Sequence, residues 1–247
     1  MAKRYIILDT ETTGTGEQDR VIQLGFMVLG EKKVEVCNEF FSSDTPISFA
    51  AMEVHGITPD MLEDKESCTH SASYKRLQEL NTNENYLIIH NAKFDIDMLK
   101  KEGFNPQMRV IDTLRVAKHI FPNEEAHRLQ YFRYKMELYK DEQKEADALG
   151  IVVKAHDAIG DVLVLKLFLS RLKDEISKRF PQENPVDKMV DLTITPIFIN
   201  SFNFGKYKGK TLQEVAASDA AYLKWMLGSM ENLDEDMRYS INRVLGN

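Results

Sequence analysis

Tyr5-Ile6-Ile7-Leu8-Asp9-Thr10-Glu11-Thr12-Thr13-Gly14 is the stretch on which the reading of this chain turns. Residues 5–8 are apolar without interruption. A run this short, with no polar alternation, predicts a central strand covered on both faces. It stops at Asp9, and Thr12-Thr13-Gly14-Thr15-Gly16 supplies a turn. Asp9 and Glu11 are two apart, so in extended backbone both side chains leave the same face. Carboxylates at the carboxyl end of a central strand stand where α/β folds place their ligands.

Working outward, Val21–Leu29 and 33–41 are β-rich and separated by Gly30-Glu31-Lys32, which predicts a hairpin. Residues 71–80 have helical character, and Tyr86–Ile89 is a second short apolar strand. Ala92–Lys101 reads as a helix ended by Gly103. A strand over 109–111 leads into a helix over Thr113–Ile120, and another helix is predicted over 129–139. Residues 140–146 are highly charged and predict a solvated helix or loop, and 156–173 predict a long amphipathic helix. Three meandering strands followed by strands alternating with helices predict an α/β fold, a mixed sheet with helices on both sides. The composition shifts at Phe180-Pro181-Gln182-Glu183-Asn184-Pro185. The expected organisation is a main domain over 1–180, a linker over 181–200 and a small, mostly helical C-terminal module over 201–247.

The chain has 247 residues, 43% of them hydrophobic, enough for a sizeable core, so disorder is not the expectation. Its net charge is −7, from 39 acidic and 32 basic residues. That argues against a general nucleic-acid coating protein, which would be basic. It does not argue against an enzyme that grips only a strand end. Cys37 and Cys68 form no CxxC and predict two reduced thiols. The apolar run after Met-Ala-Lys-Arg is too short for a signal peptide, and no stretch reaches the ~18–20 apolar residues of a membrane span. The expected location is the cytoplasm, with no membrane partner.

Two further aspartates lie on apolar stripes. Asp95 is followed at i+3 and i+4 by Met98 and Leu99, and Asp161 by Val164, Leu165 and, at i+7, Phe168. Helical spacing therefore aims both inward, towards the sheet. Carboxylates gathered away from water repel one another and are relieved by protonation or a bound cation. Oxygen-only ligands favour hard ions such as Mg²⁺ or Mn²⁺. His156 lies five positions before Asp161, ~140° around a helix, so the two do not share a face. At the mouth of that helix a neutral imidazole suits a general base. Singly, each of these residues could be a turn, a cap or a satisfied core group. Together they describe a metal site with a base beside it.

The motifs now on the page resemble a known family. The stretch from Ile7 to Gly14 is similar to the first motif of the DEDDh 3′→5′ exonucleases, a DnaQ-like family. His90-Asn91-Ala92-Lys93-Phe94-Asp95 resembles the second and His156-Asp157-Ala158-Ile159-Gly160-Asp161 the third. The three occur in the family's order, and the resemblance runs from about Lys3 to Leu172. Val54-His55-Gly56-Ile57-Thr58 resembles a segment bordering the substrate cleft, or is a simple turn. Ile111-Asp112-Thr113-Leu114 resembles a strand-to-helix junction in which Asp112 caps the helix. Phe204-Gly205-Lys206-Tyr207-Lys208-Gly209-Lys210, with Tyr222-Leu223-Lys224-Trp225-Met226, resembles the tail of exodeoxyribonuclease X-like proteins. The charged stretch at 140–146 departs from the family by being longer and more acidic.

The resemblance implies a ribonuclease H-like mixed five-stranded sheet and a two-metal mechanism using two divalent ions, Mg²⁺ or alternatively Mn²⁺. It implies Asp9, Glu11, Asp95 and Asp161 as ligands, with His156 taking a proton from the attacking water. Thr12, Thr13, His55, Asn91 and Phe94 become candidate contacts for the terminal nucleotide. Lys206, Lys208 and Lys210 become candidate backbone contacts, and Tyr207 and Trp225 are expected in the core. The expected substrate is single-stranded or 3′-end DNA, in a repair role. RNA trimming, a polymerase-associated proofreading subunit and a catalytically dead binding module are the alternatives. A homodimer or a polymerase or repair protein is the expected class of protein partner.

Overall fold

The structure is a computed structural model that describes residues 3–30, 33–151 and 157–246. It divides into two compact units, residues 1–193 and 194–247.

The first unit is built on strand β1 (Tyr5–Thr12). β2 (Val21–Leu29) pairs antiparallel with it, β3 (Glu35–Phe40) antiparallel with β2, and β4 (Tyr86–Ile89) and β5 (Arg109–Asp112) continue in parallel on the other side. The order is β3-β2-β1-β4-β5, the expected mixed five-stranded sheet. Burial along β1 obeys the two-residue period. Ile6 and Leu8 join the core on one face, and Ile7 joins the core on the other. Helices α1 (Phe49–His55), α2 (Ala72–Leu80) and α3 (Ala92–Lys101) come next in the chain. α2 and α3 bury Leu77, Met98 and Leu99 beside Ile6 and Leu8. α4 (Thr113–Ile120), α5 (Leu129–Lys135), α6 (Tyr139–Leu149) and α7 (Ala158–Arg179) cover the opposite face with Val116, Phe132, Ala146, Leu163 and Phe168.

Three local features differ from the sequence expectations. The single helix expected over 129–139 is broken, because Glu137 adopts a left-handed φ of 54° between α5 and α6. The charged stretch at 140–146 is not simply solvated. Glu142 is only 5% exposed and pairs with Arg133, Glu145 pairs with Lys166 of α7, and Asp141 lies 3.4 Å from Arg171. Its acids therefore pin α6 to its neighbours. The linker expected over 181–200 contains helix α8 (Pro185–Ile194), which buries Met189 and Leu192 in the first unit's core. Thr193 Oγ1 accepts from the Asp112 backbone N–H at 2.9 Å, and Thr193 O accepts from Arg115 Nε at 2.6 Å. The apolar content of that segment, Val186, Met189, Val190 and Leu192, is what carries it into the core.

The second unit has its own core of Phe202, Leu212, Val215, Leu223, Met226, Met237 and Ile241. It consists of a lysine-bearing turn followed by α9 (Leu212–Ser229) and α10 (Glu235–Leu245), matching the expected small helical module. Thr211 and Glu214 close a reciprocal cap at the start of α9. Asp219 leaves helical geometry (φ −150°, ψ 62°) and its carboxylate accepts from the Tyr222 N–H, so it breaks α9 and caps its second half. Among the described residues no helix is long and apolar enough to cross a membrane.

Candidate active site

Two sequence choices bring the carboxylates together. The first is glycine at position 25, directly across the antiparallel ladder from Asp9. A Cβ there would lie 2.8 Å from the Ala158 carbonyl carbon and the Ile159 nitrogen. The missing side chain lets the start of α7 lie against β2, three residues from Asp161. The second is Gln23, opposite Glu11 in the same ladder and fully buried. Its amide donates to Asn38 Oδ1 at 2.9 Å and to Asp157 Oδ1, and its oxygen accepts from the Ala158 N–H. One glutamine thus fastens the first turn of α7 to the sheet.

Asp95 arrives from the other face of the sheet. It is 3% exposed, and its Oδ1 accepts from both the backbone N–H (3.1 Å) and the hydroxyl (2.7 Å) of Thr10. Thr10 lies between Asp9 and Glu11 and points to the opposite face. The start of α3 is held by Asp112, whose carboxylate accepts from the N–H groups of Asn91 and Ala92 as well as those of Leu114 and Arg115. The expected cap on α4 therefore also caps α3. His90 is locked between Thr113 Oγ1 and the His127 carbonyl, both at 2.9 Å. Burial pushes its imidazole down to about 4, so it stands neutral, donating through Nε2.

The electrostatics follow from this crowding. Burial, then the charges of Asp95, Asp161, Glu11 and Asp157, raise the Asp9 carboxyl well above its ordinary value. Burial and the charges of Asp161, Asp95 and Asp157 push Glu11 up to about 8. Burial pushes Asp95 up to about 7 against the opposing hydrogen bonds from Thr10. Asp9, Glu11, Asp95 and Asp161 thus feel one another's charge, although they come from a strand and from helices on opposite faces. Among the described residues no group of three or more His, Cys, Asp and Glu side chains is set to hold a metal ion as it stands. Asp95 spends one oxygen on Thr10, and Asp161 spends one on Gln130, whose Nε2 donates at 2.7 Å. The donor set is nevertheless all oxygen, anionic and destabilised by self-repulsion, and its chemistry fits a hard divalent cation. His156 lies outside the described residues.

The expected nucleotide contacts divide. Asn91 is exposed at the head of α3 in a left-handed conformation (φ 71°), and Phe94 is half-buried one turn on. A non-glycine residue in that region is strained, and such strain gathers at functional sites. Thr13 is fully buried, its hydroxyl donating to Asp19 and accepting from the Arg20 N–H. The Thr12 hydroxyl is spent on the Gly14 carbonyl. His55 is 7% exposed, with Nδ1 accepting from the Ile57 N–H and Nε2 donating to the Thr12 carbonyl. Both of its ring nitrogens are occupied by backbone groups, one of them at the end of β1. In the second unit Lys206 is paired with Asp219 at 3.2 Å, while Lys208 has no acidic partner among the described residues. Tyr207 packs against that unit's core as expected, but Trp225 is 52% exposed and not part of it.

Residues missed by sequence reading are Thr10, Gln23, Gln130 and Asp157. Gln23 had a signal, a lone amide in the otherwise apolar run Val-Ile-Gln-Leu-Gly-Phe-Met-Val-Leu. Gln130 had none.

Residues 6–168 match the family model described as "Exonuclease", and residues 202–231 match the exodeoxyribonuclease X-like C-terminal model. The chain is 26% identical over 244 residues to exodeoxyribonuclease 10 of Escherichia coli K12, covering 98% of both chains. Exonuclease X in complex with 5′ overhanging duplex DNA superposes with a TM-score of 0.53 at 20% identity, over 77% of this chain and 98% of that one. The zinc-bound E. coli ExoI–ssDNA complex superposes with a TM-score of 0.54 at 20% identity, over 76% of this chain and 43% of that one. With a carboxylate-lined site at the end of β1 and the exonuclease family model matching residues 6–168, the chain belongs to the exonuclease family, and residues 202–231 match an exodeoxyribonuclease X-like C-terminal segment.

Proposed function

We propose that this protein is a 3′→5′ exodeoxyribonuclease that releases nucleoside 5′-monophosphates. The observation that carries the reading is the mutual charge field of Asp9, Glu11, Asp95 and Asp161 at the carboxyl end of the central strand. The near-full-length likeness to exodeoxyribonuclease 10 supports DNA over RNA as substrate. The neighbouring structures carry DNA in their names, as an overhanging duplex or a single strand.

Asp9, Glu11 and Asp161 would hold one Mg²⁺ or Mn²⁺, and Asp9 with Asp95 a second. Bound there, the ions would supply positive charge beside the scissile phosphate. His156 accepts the proton of the attacking water. The new bond forms between that oxygen and phosphorus, and the bond from phosphorus to the 3′ oxygen breaks. The leaving oxygen takes up a proton and becomes the new 3′-hydroxyl. Asn91 and Phe94, at the head of α3, line the terminal nucleotide. The Thr10 hydroxyl keeps Asp95 turned towards the site.

The second unit supplies backbone and base contacts. Lys206 lies 4.7 Å and Lys210 5.8 Å from the Tyr207 ring centre, Tyr207 meets Tyr222 at 5.0 Å, and Tyr222 meets Trp225 at 5.7 Å. This continuous row of lysines and rings ends in the exposed Trp225. Lys206, Lys208 and Lys210 would contact phosphates and Trp225 a base. Gly205 and Gly209, both at left-handed φ, allow the turn that gathers the three lysines.

The test is digestion of matched 5′-end-labelled single- and double-stranded DNA and RNA with Mg²⁺, followed by product sizing. A ladder shortening from the 3′ end of DNA, with mononucleotide products, is expected. Digestion of RNA alone, or internal cuts, would overturn the reading.

A further inference from the structure

Glu142 sits in the charged helix α6, yet its side chain is 6% exposed. A carboxylate so buried needs full compensation. Arg133 of α5 supplies it with two parallel bonds, Nε to Oε1 and Nη2 to Oε2, both 2.6 Å. The remaining terminal nitrogen of Arg133 donates to Gln130 Oε1 at 3.3 Å, one helical turn earlier. A guanidinium has only donors. Gln130 must therefore turn its oxygen to Arg133 and its NH₂ away. That NH₂ donates to Asp161 Oδ1 at 2.7 Å. The amide cannot flip without setting donor against donor on one side and acceptor against acceptor on the other.

We propose that Gln130 is a positioning residue for Asp161, and that Arg133 and Glu142 fix Gln130 in turn. The chain from Glu142 through Arg133 and Gln130 to Asp161 spans α6, α5 and α7. It holds one oxygen of Asp161, Oδ1, on the protein. The acidic stretch at 140–146 thereby acquires a task, which is to orient a ligand from behind. This inference rests on Asp161 being a metal ligand, as proposed above.

The test is titration of the full chain with Mn²⁺ in the absence of nucleic acid, following the free ion by electron paramagnetic resonance. The variants are Gln130→Met, Glu142→Gln, the two combined, and Asp161→Asn. Gln130→Met keeps the shape and removes both bonds. It is expected to weaken Mn²⁺ binding about 10-fold, as loss of an outer-shell partner does, with an unchanged melting temperature. Glu142→Gln is expected to weaken binding in the wild-type background and to add nothing in the Gln130→Met background. Wild-type Mn²⁺ affinity in Gln130→Met, with binding lost in Asp161→Asn, overturns the positioning role and leaves the metal site standing. Equal further loss from Glu142→Gln in both backgrounds overturns the chain, because Glu142 would then act only through the fold. Wild-type binding in Asp161→Asn overturns the metal-site reading itself.

Discussion

Removing divalent cations should make this protein less stable as the pH rises through neutrality. In the folded chain the Glu11 carboxyl stands at about 8, against an ordinary 4.5, and Asp95 at about 7 against 3.8. Across that window the folded state keeps protons that the unfolded chain has already lost. Raising the pH therefore favours unfolding, the reverse of the usual salt-bridged carboxylate. Each raised group costs about 1.4 kcal/mol per pH unit inside its window. Glu11 alone gives roughly 2–3 kcal/mol between about pH 6 and pH 8. At ~2–4 °C per kcal/mol for a chain of this size, the melting temperature should fall by about 5–10 °C. The assay is thermal unfolding in a chelator, followed by circular dichroism at several pH values, then repeated with Mg²⁺ or Mn²⁺. A divalent cation replaces the proton and should flatten the dependence, stabilising most at the higher pH. Glu11→Gln should reduce the slope without any metal, leaving the share of Asp95. A chelated protein whose melting temperature is constant or rises from pH 6 to 8, or a Glu11→Gln variant with the wild-type slope, would refute the reasoning.

Other substitutions probe the supports of the site. Thr10→Val removes the hydroxyl bond to Asp95, a charge-assisted bond worth about 1.5–3 kcal/mol, so metal-limited turnover should drop ~10–100-fold in a digestion assay. Gly25→Ala places a Cβ 2.8 Å from the backbone of α7. Overpacking of about 1–3 kcal/mol should show as a lower midpoint in urea, together with reduced activity as Asp161 is pushed off the sheet. Trp225→Ala should weaken binding of a single-stranded oligonucleotide by about 1–3 kcal/mol in fluorescence anisotropy. Its Mn²⁺ affinity and melting curve should match the wild type.

The fold was legible where short range settled it. The unbroken apolar run ending at Asp9, the two-residue spacing to Glu11 and the stripes behind Asp95 and Asp161 all report burial directly, and those elements form as expected. What the sequence left illegible has a common cause, since residues distant in sequence decided the surroundings. The Thr13 hydroxyl is engaged by Asp19 and Arg20, and His55 reaches back to the Thr12 carbonyl. Helix α8 was hidden by its flanking prolines, although its apolar residues meet a core assembled far upstream. The charged stretch at 140–146 looked solvated until Arg133 and Lys166 supplied its partners. Trp225 was expected inside, but its neighbour Tyr222 packs against Tyr207 and Trp225 lies on its outer side, 52% exposed. Gln130 carries no local signature, because its meaning depends on Asp161 at one end and Arg133 at the other.

The central claim is that the carboxylates at the end of β1 form a metal-dependent hydrolytic site, and Asp9→Ala tests it most directly. Purified variant and wild type are given the same end-labelled single-stranded DNA with Mg²⁺, after their melting curves in a chelator have been compared. A folded variant that releases no mononucleotide is the predicted result. A folded variant that digests the strand at the wild-type rate would contradict it.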